Sequence, residues 1–215
     1  MKPTMTSPRK QGFSLIELMA VIVVIAILIT LVSPQIGKVQ LRGKLTQQAH
    51  HAKSIVEAII AKESASRFNS GWPQSDPDGD GETSYSSSND FLADLVEGGF
   101  LDVDYTFFAG PGMTPARSEA EFRSGGDSVN AWCIVLDVND TTPGNFPVVY
   151  LKNMTDINAQ SFGEDVAPFG TKGFAFATKN GEAIFVEKGD IEEIGNLQAI
   201  FDLGDETSVQ ALEPQ

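Results

Sequence analysis

The sequence predicts an α+β protein: one long N-terminal helix, half membrane-spanning and half amphipathic, packed on a small antiparallel β-sheet head. Three observations carry that expectation. Residues 13–32 form a continuous run of apolar or small residues interrupted by a single acid, Glu17. From Gln35 to Arg67 the apolar residues recur at helical spacing. Farther along, short aromatic and β-branched runs alternate with turn residues, and Asn180-Gly181 separates two of them, a strong hairpin signal.

The apolar run has the length that a bilayer's hydrocarbon core requires of a helix, about 20 residues. An acid within such a run costs roughly 2.5–3.5 kcal/mol on insertion scales, so Glu17 reads as a functional group awaiting a partner. Ahead of the run lies a polar leader, residues 1–12, carrying Lys2, Arg9 and Lys10. A secretory signal fits poorly, because the run is too long and no A-x-A site follows it. A plain signal anchor fits the length and, by the positive-inside rule, places the C-terminus outside. It leaves Glu17 and Gly12 unexplained.

Basic leader, Gly12, Phe13-Ser14-Leu15-Ile16-Glu17 and the apolar helix together resemble the class III signal of type IV pilins and pseudopilins. The resemblance covers roughly residues 9–40. It implies cleavage after Gly12 by a prepilin peptidase, N-methylation of the new N-terminus at Phe13, and an assembly role for Glu17. Members of that superfamily commonly carry a helix-perturbing proline where the apolar helix ends, and Pro34 stands there. Glu17 lies four residues beyond Phe13, about one helical turn. In a stack of copies, one Glu17 can neutralise a neighbour's N-terminal amine, and an uncompensated acid would be penalised. Pro34 removes an intrahelical hydrogen bond and Gly37 adds a second weak point, a hinge where the helix leaves the membrane.

Residues 34–68 read as an amphipathic neck. Leu41, Leu45, Ala49, Ala52, Val56 and Ile59, widened by Ile55 and Ile60, form its apolar stripe. His50 and His51 point about 100° apart on a helix, so a solvated face is expected for both. Residues 69–215 form an acidic α+β head, with a loop over 70–90 and a flexible tail from about 206. Up to Arg67 there are nine Lys/Arg against three acids; from Phe68 onward there are six against 26, a net of −20. Such a head argues against nucleic acid and anionic lipid surfaces as partners.

Within the loop, Asp76, Asp78, Asp80 and Glu82 surround two glycines in the pattern of the first half of a calcium loop. A complete EF-hand needs a bidentate Glu at the twelfth position, and Ser87 stands there. Calcium held with help from an acid such as Asp90, or an ion-free Asp/Gly turn, both fit the residues. A short helix is expected over 91–97, ended by Gly98-Gly99, with a helical turn at 118–122. Strands are expected at 131–138, 147–151, 174–178 and 182–186, a sheet of three or four. The order from Trp72-Pro73 to Phe100-Leu101 looks like the segment after the long helix in the major pseudopilin of type II secretion, with Trp72 and the acidic insert departing from it.

Cys133 is the lone cysteine, so no intramolecular disulfide forms, and its apolar setting marks a buried thiol. Trp72 and Trp132 read as core. No nucleophile elbow, zinc-binding His pair or phosphate-cradling loop is present, so the chain is not expected to be an enzyme. The resemblance implies a structural subunit of a pseudopilus. Its partners would be itself, other pseudopilins, the prepilin peptidase, the inner-membrane assembly platform and the membrane. The protein would cross the inner membrane once, head in the periplasm. A type IV pilus subunit and a membrane-anchored binding domain that never polymerises are the alternatives.

Overall fold

The structure, a computed structural model, describes residues 14–66, 70–76, 79, 82–157, 161–190 and 209–215, with the side chains of 32–34 excepted. Residues up to Leu41 and those from Arg42 onward form two compact units. Helix α1, Leu15–Ala65, runs for 51 residues and contributes to both.

In the second unit α1 buries the expected stripe. Leu45, Ala52, Ile55, Val56 and Ile59 are fully buried, the Leu, Val and Ile side chains each contributing about 1.5–3 kcal/mol through removal of apolar area from water. Gln48 and Ala58 join that face, whereas Ile60, expected within it, is exposed. The helix ends at Ala65, three residues short of the end expected for the neck. The chain then returns tightly over its own last turns. A Cβ on Gly71 would lie 2.5 Å from the Glu63 Cβ and 2.6 Å from the Ile59 carbonyl oxygen.

Among the described residues seven strands follow: β1 Trp132–Val135, β2 Pro147–Leu151, β3 Met154–Asp156, β4 Ser161–Phe162, β5 Gly173–Thr178, β6 Ala183–Glu187 and β7 Ala211–Leu212. Five of them form one sheet in the order β6-β5-β2-β1-β7, and β3 and β4 pair separately. All pairs are antiparallel. The sheet thus exceeds the three or four strands expected. β5 and β6 form the hairpin that Asn180-Gly181 announces, with Phe174 opposite Val186 and Phe176 opposite Ile184.

The alternation in β5 explains how the helix fits. Successive side chains of a strand point to opposite faces, so Gly173, Ala175 and Ala177 share one face and Phe174 and Phe176 the other. On the small-residue face, a Cβ on Gly173 would lie 2.8 Å from Leu45 Cδ1 of α1. On the other face, the Phe162 ring of β4 packs 5.3 Å from that of Phe174. β1 and β2 are buried at every position, as expected for strands covered on both faces.

Two short helices close the other end of the sheet. α2 spans Ser88–Glu97 and begins three residues before the expected helix; the Ser87 hydroxyl accepts the Asp90 N–H to cap it. α3 spans Glu119–Ser124, capped in the same way by Ser118. A buried polar network ties them to β1. Asn130 Nδ2 donates to Ser88 Oγ and to Asn89 Oδ1, at 3.0 and 2.8 Å. Asn89 Nδ2 donates to the Phe122 carbonyl oxygen at 2.8 Å, and Ser88 Oγ to that of Trp132 at 2.8 Å.

Three other expectations change. β1 stops at Val135, because Asp137 adopts a left-handed backbone, φ 59°. The tail expected to be flexible supplies β7, in which Ala211 and Leu212 pair with Val135 and Ile134; residues 191–208 lie outside the described residues. His50 is exposed as expected, but His51 stacks on Phe107 with ring centroids 4.1 Å apart.

Candidate functional site: the N-terminal segment and the acidic loop

Helix α1 opens on Ser14, whose backbone N–H donates to Glu17 Oε2 at 2.9 Å. The carboxylate therefore turns back toward the start of the helix, where unpaired N–H groups and the positive end of the helix dipole favour an anion. Gly12 and Phe13 lie outside the described residues.

The turns that follow have no covered face. From Leu15 to Leu31 the large apolar side chains are 48–76% exposed, on every side of the helix. A helix apolar all round belongs in a bilayer or among other helices. Among the described residues no single helix is long and apolar enough to cross a membrane, but Leu15–Leu31 and Gln35–Ala65 meet that test together as a bent pair. The backbone of α1 runs helical through Pro34. Pro34 has no N–H to donate to the Thr30 carbonyl, and a Cβ on Gly37 would meet nothing within 4 Å.

The acidic loop is anchored at both ends. Gln74 and Ser84 are bonded three times, Ser84 N to Gln74 O at 2.9 Å, Gln74 N to Ser84 Oγ at 2.8 Å and Ser84 Oγ to Gln74 O at 3.1 Å. The Ser75 N–H donates to Asp137 Oδ1 at 3.0 Å, and the Asp137 N–H to the Pro73 carbonyl oxygen at 3.0 Å. Asp76 and Glu82 are described; Asp78 and Asp80 lie outside the described residues. Among the described residues no three His, Cys, Asp or Glu side chains are placed to hold a metal. Asp137 is the loop contact that sequence reasoning missed. Its signal is an Asp directly after an apolar run, a residue type that tolerates positive φ and bonds nearby backbone.

Elsewhere one cation gathers four of the head's acids. Arg123 of α3 reaches Glu119 at 2.8 Å, Asp94 at 3.1 Å, and Asp90 and Glu97 at 3.2 Å each. The hydrogen bond between Glu97 and Glu119 raises the Glu97 pKa and lowers that of Glu119. Beside α2, Lys62 of α1 donates to the Tyr85 hydroxyl at 2.9 Å and lies over the Phe91 ring. Burial is the chief cause that pushes the Tyr85 pKa up to about 12 and lowers that of Lys62. Cys133 is buried; burial raises its thiol pKa far above the usual range, so it is unreactive. Trp72 and Trp132 are buried in the core, as expected.

A family model described as the prokaryotic N-terminal methylation motif matches residues 7–33. No curated protein and no solved structure matches the chain. The matched segment holds Gly12, Phe13, Glu17 and the apolar run. It supports a type IV pilin-like subunit with a membrane-anchored N-terminal helix, and it implies processing by a prepilin peptidase and self-assembly into filaments. The antiparallel sheet against the long helix is consistent with that class.

Proposed function

We propose that the chain is the repeating subunit of a pseudopilus of type II protein secretion. It is inserted once in the inner membrane, N-terminus in the cytoplasm and head in the periplasm, cut after Gly12 and N-methylated on Phe13. It is then drawn into a filament that pushes cargo outward; its work is mechanical, not enzymatic. The prepilin peptidase, the other pseudopilins and the inner-membrane assembly platform are its partners.

One observation carries this reading: a single acid, aimed at the helix start, on an otherwise uncovered apolar helix in register with a methylation motif. In the lone chain Glu17 caps its own first turn. In a filament the charged amine of a neighbour's Phe13 takes that carboxylate, and each removes the other's desolvation penalty. Contacts that repeat head to tail without closing produce open filaments. Pro34 and Gly37 give the helix a hinge at the membrane boundary. The buried, unpaired Cys133 supports secretion over adhesion or motility, because pilins of the latter kind often staple the head with a disulfide.

Replacing Glu17 by Ala tests the proposal. Cross-linkable multimers and secreted cargo should both be lost while the processed monomer persists in the membrane. Undiminished multimers and secretion would favour an anchored domain that never polymerises.

A further inference from the structure

Two stretches of the chain read Asn-x-Thr: Asn139-Asp140-Thr141 and Asn153-Met154-Thr155. This pattern accepts an asparagine-linked glycan where it stands on a surface loop outside the cytoplasm. The fold separates the two. Asn153 is fully buried, and its amide hydrogens are committed. Its Nδ2 donates to the Gly170 carbonyl oxygen at 2.7 Å and to that of Gly173 at 2.9 Å. No enzyme reaches that nitrogen without opening the core.

Asn139 is the opposite case. It lies with Asp140 and Thr141 in the connection between β1 and β2, and all three are exposed. The backbone of the turn is fixed: the Thr142 N–H donates to the Asn139 carbonyl oxygen at 3.0 Å. Lys179 Nζ donates to the carbonyl oxygens of Asn139 and Thr142 at 2.6 and 3.0 Å. The side chains, by contrast, bond only within the turn. Asn139 Oδ1 accepts the Thr141 N–H at 2.9 Å and the Thr141 hydroxyl at 2.6 Å, a local closure that Asn favours. Asn139 Nδ2 gives one hydrogen to the Asp137 carbonyl oxygen at 3.0 Å. An amide carries two donors, and the second has no acceptor among the described residues. The acceptor nitrogen is thus accessible, and the hydroxyl two residues on is already joined to its amide.

We infer that Asn139 is the acceptor of an asparagine-linked glycan. The co-substrate is a lipid-linked glycosyl diphosphate, brought by a transferase. Asn139 Nδ2 bonds to the anomeric carbon of the sugar. The bond from that carbon to the diphosphate oxygen breaks, its electron pair leaves on the lipid diphosphate, and the amide proton passes to the transferase. The inference rests on the proposed periplasmic head, because the acceptor pattern is used outside the cytoplasm. Two residues before Asn139, the Asp137 carboxylate holds Ser75 at the edge of the acidic loop, so the glycan stands beside that loop. A filament must then keep this turn outward, since a bulky, solvated sugar does not pack between heads.

The test is mass spectrometry of the full chain purified from its own cells and cut after Lys and Arg. Peptide 124–152, which holds Asn139, should carry an added mass of whole sugar residues, and peptide 153–172, which holds Asn153, should carry none. Thr141→Ala should abolish the addition and Thr141→Ser should retain it, both with unchanged circular dichroism. An addition that survives Asn139→Gln, or that falls on 153–172, overturns the inference. So does an unmodified 124–152 from a head that added protease digests in spheroplasts, and that outcome leaves the periplasmic reading standing. An unmodified 124–152 from a head the protease does not reach refutes the periplasmic reading, and this inference with it.

Discussion

The Glu17 carboxylate accepts the Ser14 backbone N–H at 2.9 Å, one residue from the peptide unit that cleavage after Gly12 would turn into a free amine. The acid that interrupts the apolar run is thus directed along the helix, toward its N-terminal end. A carboxylate pointing sideways from the middle of the span would have no partner there. One pointing to the end needs only a small shift to exchange a backbone N–H for a neighbour's amine.

Gly173 sets how closely α1 approaches the sheet. A Cβ there would lie 2.6 Å from the Val186 carbonyl oxygen and 2.8 Å from Leu45 Cδ1. Gly173→Ala should cost about 1–3 kcal/mol in denaturant unfolding. The Gly173→Ala, Leu45→Ala double variant should be less destabilised than the two single losses added together, because they share one contact. Strict additivity would show that the clash with Leu45 is not what matters.

The N-terminal half of this account was legible in the sequence because its signals are local. The apolar run, Glu17 within it and the Leu45–Ile59 stripe depend only on residues within a few turns. Asn180-Gly181 fixed a hairpin by turn chemistry alone. The remainder depends on contacts across long stretches of chain. β7 is two residues whose pairing with β1 no local pattern announces. Asn89, Asn130 and Ser88 look like surface polar residues until the fold brings them together. His51 looks solvated until Tyr105–Phe108, a 3₁₀ turn far along the chain, arrives over it. Of the processing and calcium residues, Gly12, Phe13, Asp78 and Asp80 lie outside the described residues, so their roles rest on sequence.

Arg123 holds α3 to α2 through Asp90, Asp94 and Glu97, and pairs with Glu119 of its own helix, in a head whose net charge is −20. Arg123→Gln leaves those carboxylates facing one another. It should lower Tm by about 2–6 °C, with a smaller loss at high salt, where their repulsion is screened. An unchanged Tm at low salt would show the cluster to be energetically idle.

His51 should make stability fall with acid. Burial is the chief cause that lowers its pKa from 6.5; the His50 charge acts in the same direction and the Phe107 carbonyl, 3.2 Å from Nδ1, opposes it. The unfolded chain therefore binds the proton more readily than the folded one. Stability contributed by the neutral ring is present in full above 6.5 and is lost as pH falls through the lower folded value. Denaturant titrations through this range should show the loss, and His51→Gln should flatten that part of the profile. An unchanged slope in the variant would assign the acid sensitivity to other groups.

The Asp76–Glu82 loop, pinned by Gln74–Ser84 and by Asp137, should respond to calcium. With calcium about 100-fold above its Kd, binding adds about 2.7 kcal/mol to stability. Chelation should lower Tm accordingly, and Asp78→Ala should abolish the difference. A Tm insensitive to chelator would leave the loop an ion-free turn.

Zero-length carbodiimide coupling tests the central claim most directly, because it joins a carboxylate to an amine only where the two touch. Filaments assembled from a mixture of isotopically light and heavy subunits should yield a peptide linking Glu17 of one copy to the methylated Phe13 amine of another, seen by mass spectrometry as mixed-isotope pairs. Coupling confined to single chains, or filaments whose subunits still begin at Met1, would contradict the pairing on which the proposed assembly depends.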